Sequence, residues 1–186
     1  CYWYSDKLDN KDLIWNNLVS KNITVGILGS LHSSKFPSDL SSNQNYKFYL
    51  PDCFSNEDRT KPISFKNFQA LNNTLVGESA RVTGLYSLVK TLSSFLIKIF
   101  ISPKNFGISF YSLKMILSII YFTILYQNKE IIRMAQFPLL ASIFTDLFSK
   151  HKPMYSTLFS NHIAGNMHRY WYAYDINAFK NKKKYP

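Results

Sequence analysis

The hydrophobic pattern near the start of the chain predicts one helix followed by one buried strand. Residues 12–20 combine an acidic start with apolar side chains at helical spacing, namely Leu13, Ile14, Leu18 and Trp15. Residues 23–31 are then rich in β-branched and aliphatic side chains and are interrupted by Gly26 and Gly29. A helix that leads into a buried strand and a glycine turn is typical of an α/β unit.

Polar and apolar blocks follow one another through the next part of the chain. Residues 33–67 are dense in Ser, Asn, Asp, Lys and Pro, which predicts a long surface excursion. The run 46–50 inside this excursion predicts one short strand. Residues 65–81 then present apolar side chains at helical steps, which predicts a second helix.

Residues 85–126 are strongly apolar and fall into two blocks on either side of residues 102–107. The second block, 108–126, approaches the length of about 20 residues that a bilayer span requires. It contains Lys114, however, and a lysine near the centre of a span costs about 2.5 to 3.5 kcal/mol on insertion scales. On a protein surface the same ammonium can extend into water. We therefore favour an apolar helical hairpin inserted at residues 85–126, and membrane contact through residues 108–126 is the alternative.

The last apolar segments predict a helix and then a strand. Residues 131–149 offer a broad apolar face, with Pro138 near the start, formed by Gln136, Phe137, Leu140, Phe144 and Phe148. Residues 154–159 are rich in strand formers. The alternation of helices and strands predicts an α/β fold with a mainly parallel sheet flanked by helices, in a single domain over residues 1–186.

A polar cluster directly after the last strand holds the most distinctive chemistry of the chain. His162, His168 and Arg169 fall within eight positions. Because open α/β sheets present ligands at the carboxyl ends of their strands, the cluster suggests a metal site for a phosphate-like anion. On one continuous helix the two imidazoles would point about 120° apart, but they converge if His162 lies in the strand-to-helix turn with Asn161 near the N-cap. The alternative is a structural histidine network in which Arg169 pairs with an acid.

Charge and cysteine content narrow the partners. The net charge of +11 favours anions such as nucleotides, phosphate esters, nucleic acid or acidic lipid. We expect a small anionic substrate rather than nucleic acid, because the lysines of residues 180–184 lack regular interleaving with aromatic side chains. Cys1 and Cys53 are too few for a disulfide framework and have no neighbour that would complete a thiolate metal site. Compartment and oligomeric state stay open.

The turn after the first strand is a weaker candidate for a site. Gly29 and Ser30 invite comparison with a phosphate loop, but neither common glycine-rich phosphate motif is present, so a tight exit from a central strand is preferred. His32 lies just past this exit. His32 either contacts substrate or is simply exposed to solvent.

The residues after the last strand also resemble a known family. Residues 157–171 read Thr-Leu-Phe-Ser-Asn-His-Ile-Ala-Gly-Asn-Met-His-Arg-Tyr-Trp. This string resembles the strand and metal-binding turn of alkaline phosphatase superfamily hydrolases, nearest to type I phosphodiesterase/nucleotide pyrophosphatase-like proteins. Residues 25–30 and 48–52 look similar to further segments of such proteins. The resemblance implies an alkaline-phosphatase-like sheet between helices, two divalent ions, Zn²⁺ or Mn²⁺, and a hydroxyl or thiol nucleophile.

The resemblance also implies roles for individual residues. His168 matches the histidine metal ligand of the superfamily. Related motifs commonly carry an aspartate four residues earlier, where this chain has Ala164. Either His162, aided by Asn161, substitutes for that aspartate, or this metal pocket is altered or lost. Arg169, whose planar fork suits phosphate or sulfate oxygens, and His32 are the candidates for substrate binding.

The ends of the chain and the missing nucleophile complete the prediction. The chain starts at Cys1 without an initiator methionine and ends at Pro186, so we expect a piece of a longer protein and an incomplete domain. No nucleophile is assigned in it. We therefore expect part of a metal-dependent hydrolase of phosphate esters or phosphodiesters that is inactive by itself. The alternatives are a sulfatase-type hydrolase and a non-catalytic basic protein that associates with a membrane or acts as a scaffold.

Overall fold

The computed structural model describes residues 13–31, 33, 36–53, 55, 59–76, 85–101, 107–160 and 167. Within them the elements follow in the order α1 (Ile14–Ser20), β1 (Val25–Leu28), β2 (Tyr46–Leu50), a 3₁₀ turn (Ile63–Phe65), α2 (Lys66–Val76), α3 (Leu85–Ile101), α4 (Phe110–Tyr126), α5 (Lys129–Arg133), α6 (Gln136–His151) and β3 (Tyr155–Leu158). The predicted α/β fold is confirmed at this level.

The three described strands form one parallel sheet in the order β2-β1-β3. Leu28 of β1 pairs with Leu50 of β2 on one side and with Leu158 of β3 on the other. The carboxyl ends of all three strands therefore meet at one edge of the sheet. The chain passes from β1 to β2 on one side of β1, and later returns to β3 on the other side. The direction of winding therefore reverses between β1 and β3.

The side chains of the sheet face two separate cores. Those of β1 alternate, as the period of two in a β-strand requires, whereas the register with β2 shifts between Tyr46 and Phe48, and Tyr46 packs on the same side as Tyr49. On one face Val25, Ile27, Tyr46 and Tyr49 pack with α1 through Trp15. The side chains that point to the opposite face, Leu28, Phe48 and Leu50, pack against the helices from α2 to α6. The central strand β1 is buried on both faces, which explains its nearly uninterrupted apolar sequence.

The larger core is formed between the sheet and the later helices. Its helical members are buried apolar side chains from α2, α3, α4, α5 and α6, among them Phe68, Leu92, Ile116, Ile132, Leu139 and Ile143. Helix α6 contacts all three strands and also packs on α4, while α3 packs on α2 and α5. Helix α6 is thus the element that joins the sheet to the apolar helices. The boundaries of the single domain and of the hairpin insertion at residues 85–126 stay predictions.

Helix α1 differs from its prediction in the face that it buries. Its inward side chains are Trp15 and Val19, whereas Ile14 is 55% exposed. Leu13 is buried, but it is the N-cap residue and precedes the helix. The prediction that Ile14 belongs to the apolar face was wrong, because the contact with Tyr49 is made by the Trp15 ring.

The predicted helix at residues 131–149 is two helices, α5 and α6. Pro138 is buried in the first turn of α6. Backbone N–H groups in the first turn of a helix have no acceptor within the helix, so the proline costs no helical hydrogen bond there. The buried face of α6 includes Leu139, Ile143 and Leu147, whereas Phe137 and Phe148, both predicted to be on that face, are more than 40% exposed. The apolar surface of the helix is broader than the face that the sheet covers.

Candidate functional site

The edge formed by the carboxyl ends of β1 and β3 is the place where an open α/β sheet of this topology presents ligands. The chain leaves β1 at Gly29-Ser30 and leaves β3 at Phe159-Ser160. Backbone hydrogen bonds continue the pairing past both strands, since Phe159 N donates to Leu28 O at 3.0 Å and Gly29 N donates to Leu50 O at 2.9 Å. The two exits are therefore held side by side.

Gly29 allows this close approach. Its φ of +71° lies in the left-handed region that glycine adopts without a steric penalty. A Cβ atom at this position would lie 2.6 Å from the carbonyl oxygen of Phe159. The sequence prediction of a tight glycine exit from a central strand agrees with this geometry, and the structure adds the reason, which is the backbone of the neighbouring strand.

Hydroxyl groups line the edge beside Gly29. The Ser30 and Thr157 hydroxyls form a hydrogen bond between the end of β1 and β3. The Ser33 hydroxyl donates to the carbonyl oxygen of Ser30 and accepts from the Asp52 N–H at 2.9 Å. The Tyr49 hydroxyl donates to the Ser33 carbonyl at 3.0 Å. These bonds fix the loop after β1 against both neighbouring strands.

None of the predicted site residues belongs to the described part of the chain. Asn161, His162, His168, Arg169 and His32 all lie outside the described residues, as does Ala164. The described chain reaches Ser160, the residue immediately before this cluster in sequence. Their predicted roles as metal ligands and substrate-binding groups stay predictions.

A second polar cluster at the end of β2 was missed by the sequence reasoning. Gln69 donates through Nε2 to the carbonyl oxygen of Asp52 at 3.0 Å, and Asn73 donates through Nδ2 to the carbonyl oxygen of Ser55 at 2.8 Å. Both donors lie on α2, one helical turn apart, and Gln69 is fully buried. The spacing of four residues between the two amide side chains on one helix was the available signal.

Cys53 lies in this second cluster with its thiol buried. Burial, together with the neighbouring Asp52 carboxylate, raises the pKa of the Cys53 thiol to about 12, although hydrogen bonds from its own backbone and from Gln136 act in the opposite direction. The thiol is therefore protonated at neutral pH. A protonated thiol is a poor nucleophile and a poor metal ligand, which argues against Cys53 as a catalytic group.

Surface grooves in the described part of the chain include two that lie elsewhere, and the larger of these two runs along α4. It has a volume of about 420 Å³ and is lined by Phe110, Leu113, Lys114, Leu117, Ser118, Tyr121 and Phe122. Its walls are almost entirely apolar. The smaller groove, about 190 Å³, lies beside the start of β2 and is lined by residues that include Asn16, Asp39 and Tyr46. Neither groove lies at the carboxyl edge of the sheet.

Among the described residues no group of three or more His, Cys, Asp or Glu side chains is arranged to hold a metal ion. One helical segment in the same part of the chain, Ile131–His151, is long and apolar enough to cross a membrane, with a mean hydropathy of 1.3 over its best window, but half of that window is buried inside the protein. A buried core helix passes the same criterion. Phe110–Tyr126 is apolar but shorter.

Comparison with known proteins gives no relative from which a function can be transferred. No protein-family model matches the chain, and no curated protein or solved structure matches it either.

Proposed function

We propose that this chain is part of a metal-dependent hydrolase of phosphate esters or phosphodiesters with an alkaline-phosphatase-like fold. The observation that carries the proposal is the strand order β2-β1-β3, which reverses the winding between β1 and β3. In open α/β sheets the crevice outside such a reversal is where substrates bind. The sequence that resembles the metal-binding turn of the alkaline phosphatase superfamily begins on β3, one of the two strands that border this crevice.

The donor chemistry of the cluster after Ser160 supports a metal site. His168 and His162 would be metal ligands, with Asn161 assisting, and neutral imidazoles bind Zn²⁺ well. Metal ions about 3.5 to 4 Å apart supply charge that stabilises both the attacking and the leaving oxygen of a displacement at phosphorus. Ala164 contributes no ligand where related motifs carry an aspartate, so the proposal requires His162 to replace that carboxylate.

The chemistry of the neighbouring residues supports an anionic substrate. Arg169 would orient the phosphoryl oxygens through its planar fork, and His32, which follows the exit of β1 in sequence, would contact the substrate from the other strand. The positive charge of the chain favours the approach of such an anion. A sulfate ester offers the same oxygen geometry, so a panel of matched phosphate and sulfate esters distinguishes a phosphatase-type from a sulfatase-type enzyme.

The proposal is tested with purified full-length protein, because no nucleophile is assigned within this chain. We expect that protein to bind Zn²⁺ or Mn²⁺ and to hydrolyse an aryl phosphate ester or diester. The variant His168→Ala should lose both properties, because its imidazole would be a direct metal ligand. The matched control is His151→Ala, which removes an exposed imidazole at the end of α6. Unchanged metal content and activity in His168→Ala would refute the site assignment.

A further inference from the structure

Helix α4 presents a continuous apolar face to the outside of the protein. Its outward side chains include Phe110, Tyr111, Met115, Leu117, Tyr121, Phe122, Ile124, Leu125 and Tyr126, each between 36% and 83% exposed. The same face also carries Lys114 and Ser118, which are its polar side chains apart from the tyrosine hydroxyls. An apolar surface that follows a helix over its whole length marks an interaction site rather than an ordinary exposed side chain.

The inward face of α4 carries the buried hydroxyl groups. Ser112 and Thr123 are buried beside Ile116. The Ser112 hydroxyl accepts from Ser142 of α6 at 2.8 Å, and the Thr123 hydroxyl donates to the Ile119 carbonyl at 2.7 Å. A surface helix in water normally places its polar side chains outward and its apolar side chains inward. In α4 the inward side chains Leu113, Ile116 and Ile120 pack on the larger core, and the outward face is apolar as well. The helix therefore lacks the polar outer face of a helix that meets water, and such a face fits lipid.

The net charge of the chain selects the kind of lipid, because a charge of +11 favours an anionic surface. Lys114 is exposed in the middle of the apolar face and lines the 420 Å³ groove with Leu117 and Tyr121. A lysine in this position can bury its methylene chain beside apolar groups while its ammonium reaches anionic headgroups. Such juxtamembrane charges are attracted to acidic leaflets.

We infer that the outward face of α4 binds the surface of an anionic lipid bilayer. Aromatic side chains mark both ends of this face, with Phe110 and Tyr111 at the start and Tyr126 at the end, and aromatic rings favour the boundary between headgroups and acyl chains. The 17 residues of α4 extend about 25 Å, less than the hydrocarbon core of about 30 Å. With α5 and α6 packed on its inner side, α4 lies along the bilayer surface instead of crossing it.

The experiment measures how the 186-residue chain partitions onto anionic vesicles. These contain phosphatidylcholine and phosphatidylserine in a ratio of about 70:30. We expect binding to these vesicles, weaker binding to pure phosphatidylcholine, and weaker binding when salt is raised, because salt screens the lysines. Leu117→Glu/Tyr121→Glu places two negative charges on adjacent turns of the apolar face. It should lower the partition coefficient at least about tenfold, the ratio that corresponds to about 1.4 kcal/mol.

The matched control carries the same change of charge away from α4. Ile63→Glu/Met154→Glu substitutes two side chains that are 80% and 75% exposed, and it should bind vesicles nearly as well as the unsubstituted chain. Equal loss of binding in both variants would mean that net charge alone holds the protein on lipid, and the inference would fail. It would also fail if the chain ignored vesicles but self-associated through α4, or bound a partner protein there. These outcomes are independent of hydrolase activity.

Discussion

Gly26 controls the packing between the central strand and its neighbour. It lies on the face of β1 that points to the larger core, where the Phe48 ring of β2 covers it. A Cβ atom on Gly26 would lie 2.3 Å from Cζ of Phe48 and less than 3 Å from two more ring atoms. Glycine normally weakens a strand interior, but here it makes the room that the ring occupies.

The variant Gly26→Ala should therefore destabilise the protein by about 1 to 3 kcal/mol, as overpacked cores do. The free energy of unfolding from urea titration measures the change. Replacing the ring in Gly26→Ala/Phe48→Leu removes the clashing atoms, so the second substitution should cost less in the Gly26→Ala background than by itself. Additive effects of the two substitutions would show that the contact with the ring does not determine the cost.

Cys53 gives a prediction that depends on pH. Because burial raises the pKa of the folded thiol from 9.0 to about 12, the folded state retains its proton over a range in which the unfolded state loses it. Between these pH values the unfolded state binds fewer protons, so the free energy of unfolding decreases as pH rises. Burial raises the pKa of Tyr46 and Tyr49 as well, which adds to the same alkaline loss.

The test uses a Cys1→Ser background, in which Cys53 is the one remaining thiol. At pH 8 a thiol reagent should label the folded protein far more slowly than the urea-unfolded protein. In urea titrations from pH 8 to pH 11 the loss of stability should be smaller for Cys53→Ala than for the background. Equal labelling rates for the folded and unfolded protein at pH 8 would contradict the assignment of a buried, protonated thiol.

The role of an individual residue can be predicted from the sequence only where it depends on its neighbours along the chain. Gly29 was recognised as the end of a strand because a glycine follows a β-branched run, a local signal. The closeness of Gly29 to Phe159 depends on the pairing of β1 with β3. The two residues are far apart in sequence, and no local pattern encodes which strand becomes the neighbour.

At the scale of the elements, a buried amide pair joins α2 to α6. Gln136 donates through Nε2 to Oδ1 of Asn72 at 2.5 Å, and both side chains are almost fully buried. The hydrogen bond orders two helices that lie on the same face of the sheet. Apolar contacts alone are less directional, so we attribute the relative position of the two helices at this point to the amide pair.

The single variant Gln136→Leu should destabilise the protein by about 1 to 3 kcal/mol, because it leaves the buried Asn72 amide without its partner. The double variant Gln136→Leu/Asn72→Leu should lose less than the sum of the two single variants in urea titrations. The control is Gln44→Leu in an exposed turn, which should change stability little. A double variant that loses the full sum would show that the two amides do not interact.

The elements were predicted best where the pattern is local. The strands at residues 46–50 and 154–159 follow from their β-forming composition, and the structure has them at Tyr46–Leu50 and Tyr155–Leu158. The inward faces of α1 and α6 were predicted less well. Both helices carry more apolar side chains than one face can bury, so the neighbouring sheet decides which ones are covered, and the helical period does not contain that information.

At the scale of the whole molecule, the alternation of helices and strands predicted the α/β class and the parallel sheet. The strand order could not be predicted, because it depends on which connections pass to each side of β1. This order is what supports a site at the ends of β1 and β3. The predicted ligands after Ser160 rest on residue types and on a resemblance, and their geometry lies outside the described residues.

The most direct measurement of the proposed function is the hydrolysis of an aryl phosphodiester by the full-length protein before and after removal of metal. We predict that a chelator abolishes hydrolysis and that Zn²⁺ or Mn²⁺ restores it, because the imidazoles of His168 and His162 would hold the ions that stabilise the transferred phosphoryl group. His168→Ala should not regain activity at the metal concentration that restores the unsubstituted protein. Hydrolysis that continues unchanged after complete removal of metal would contradict the proposal.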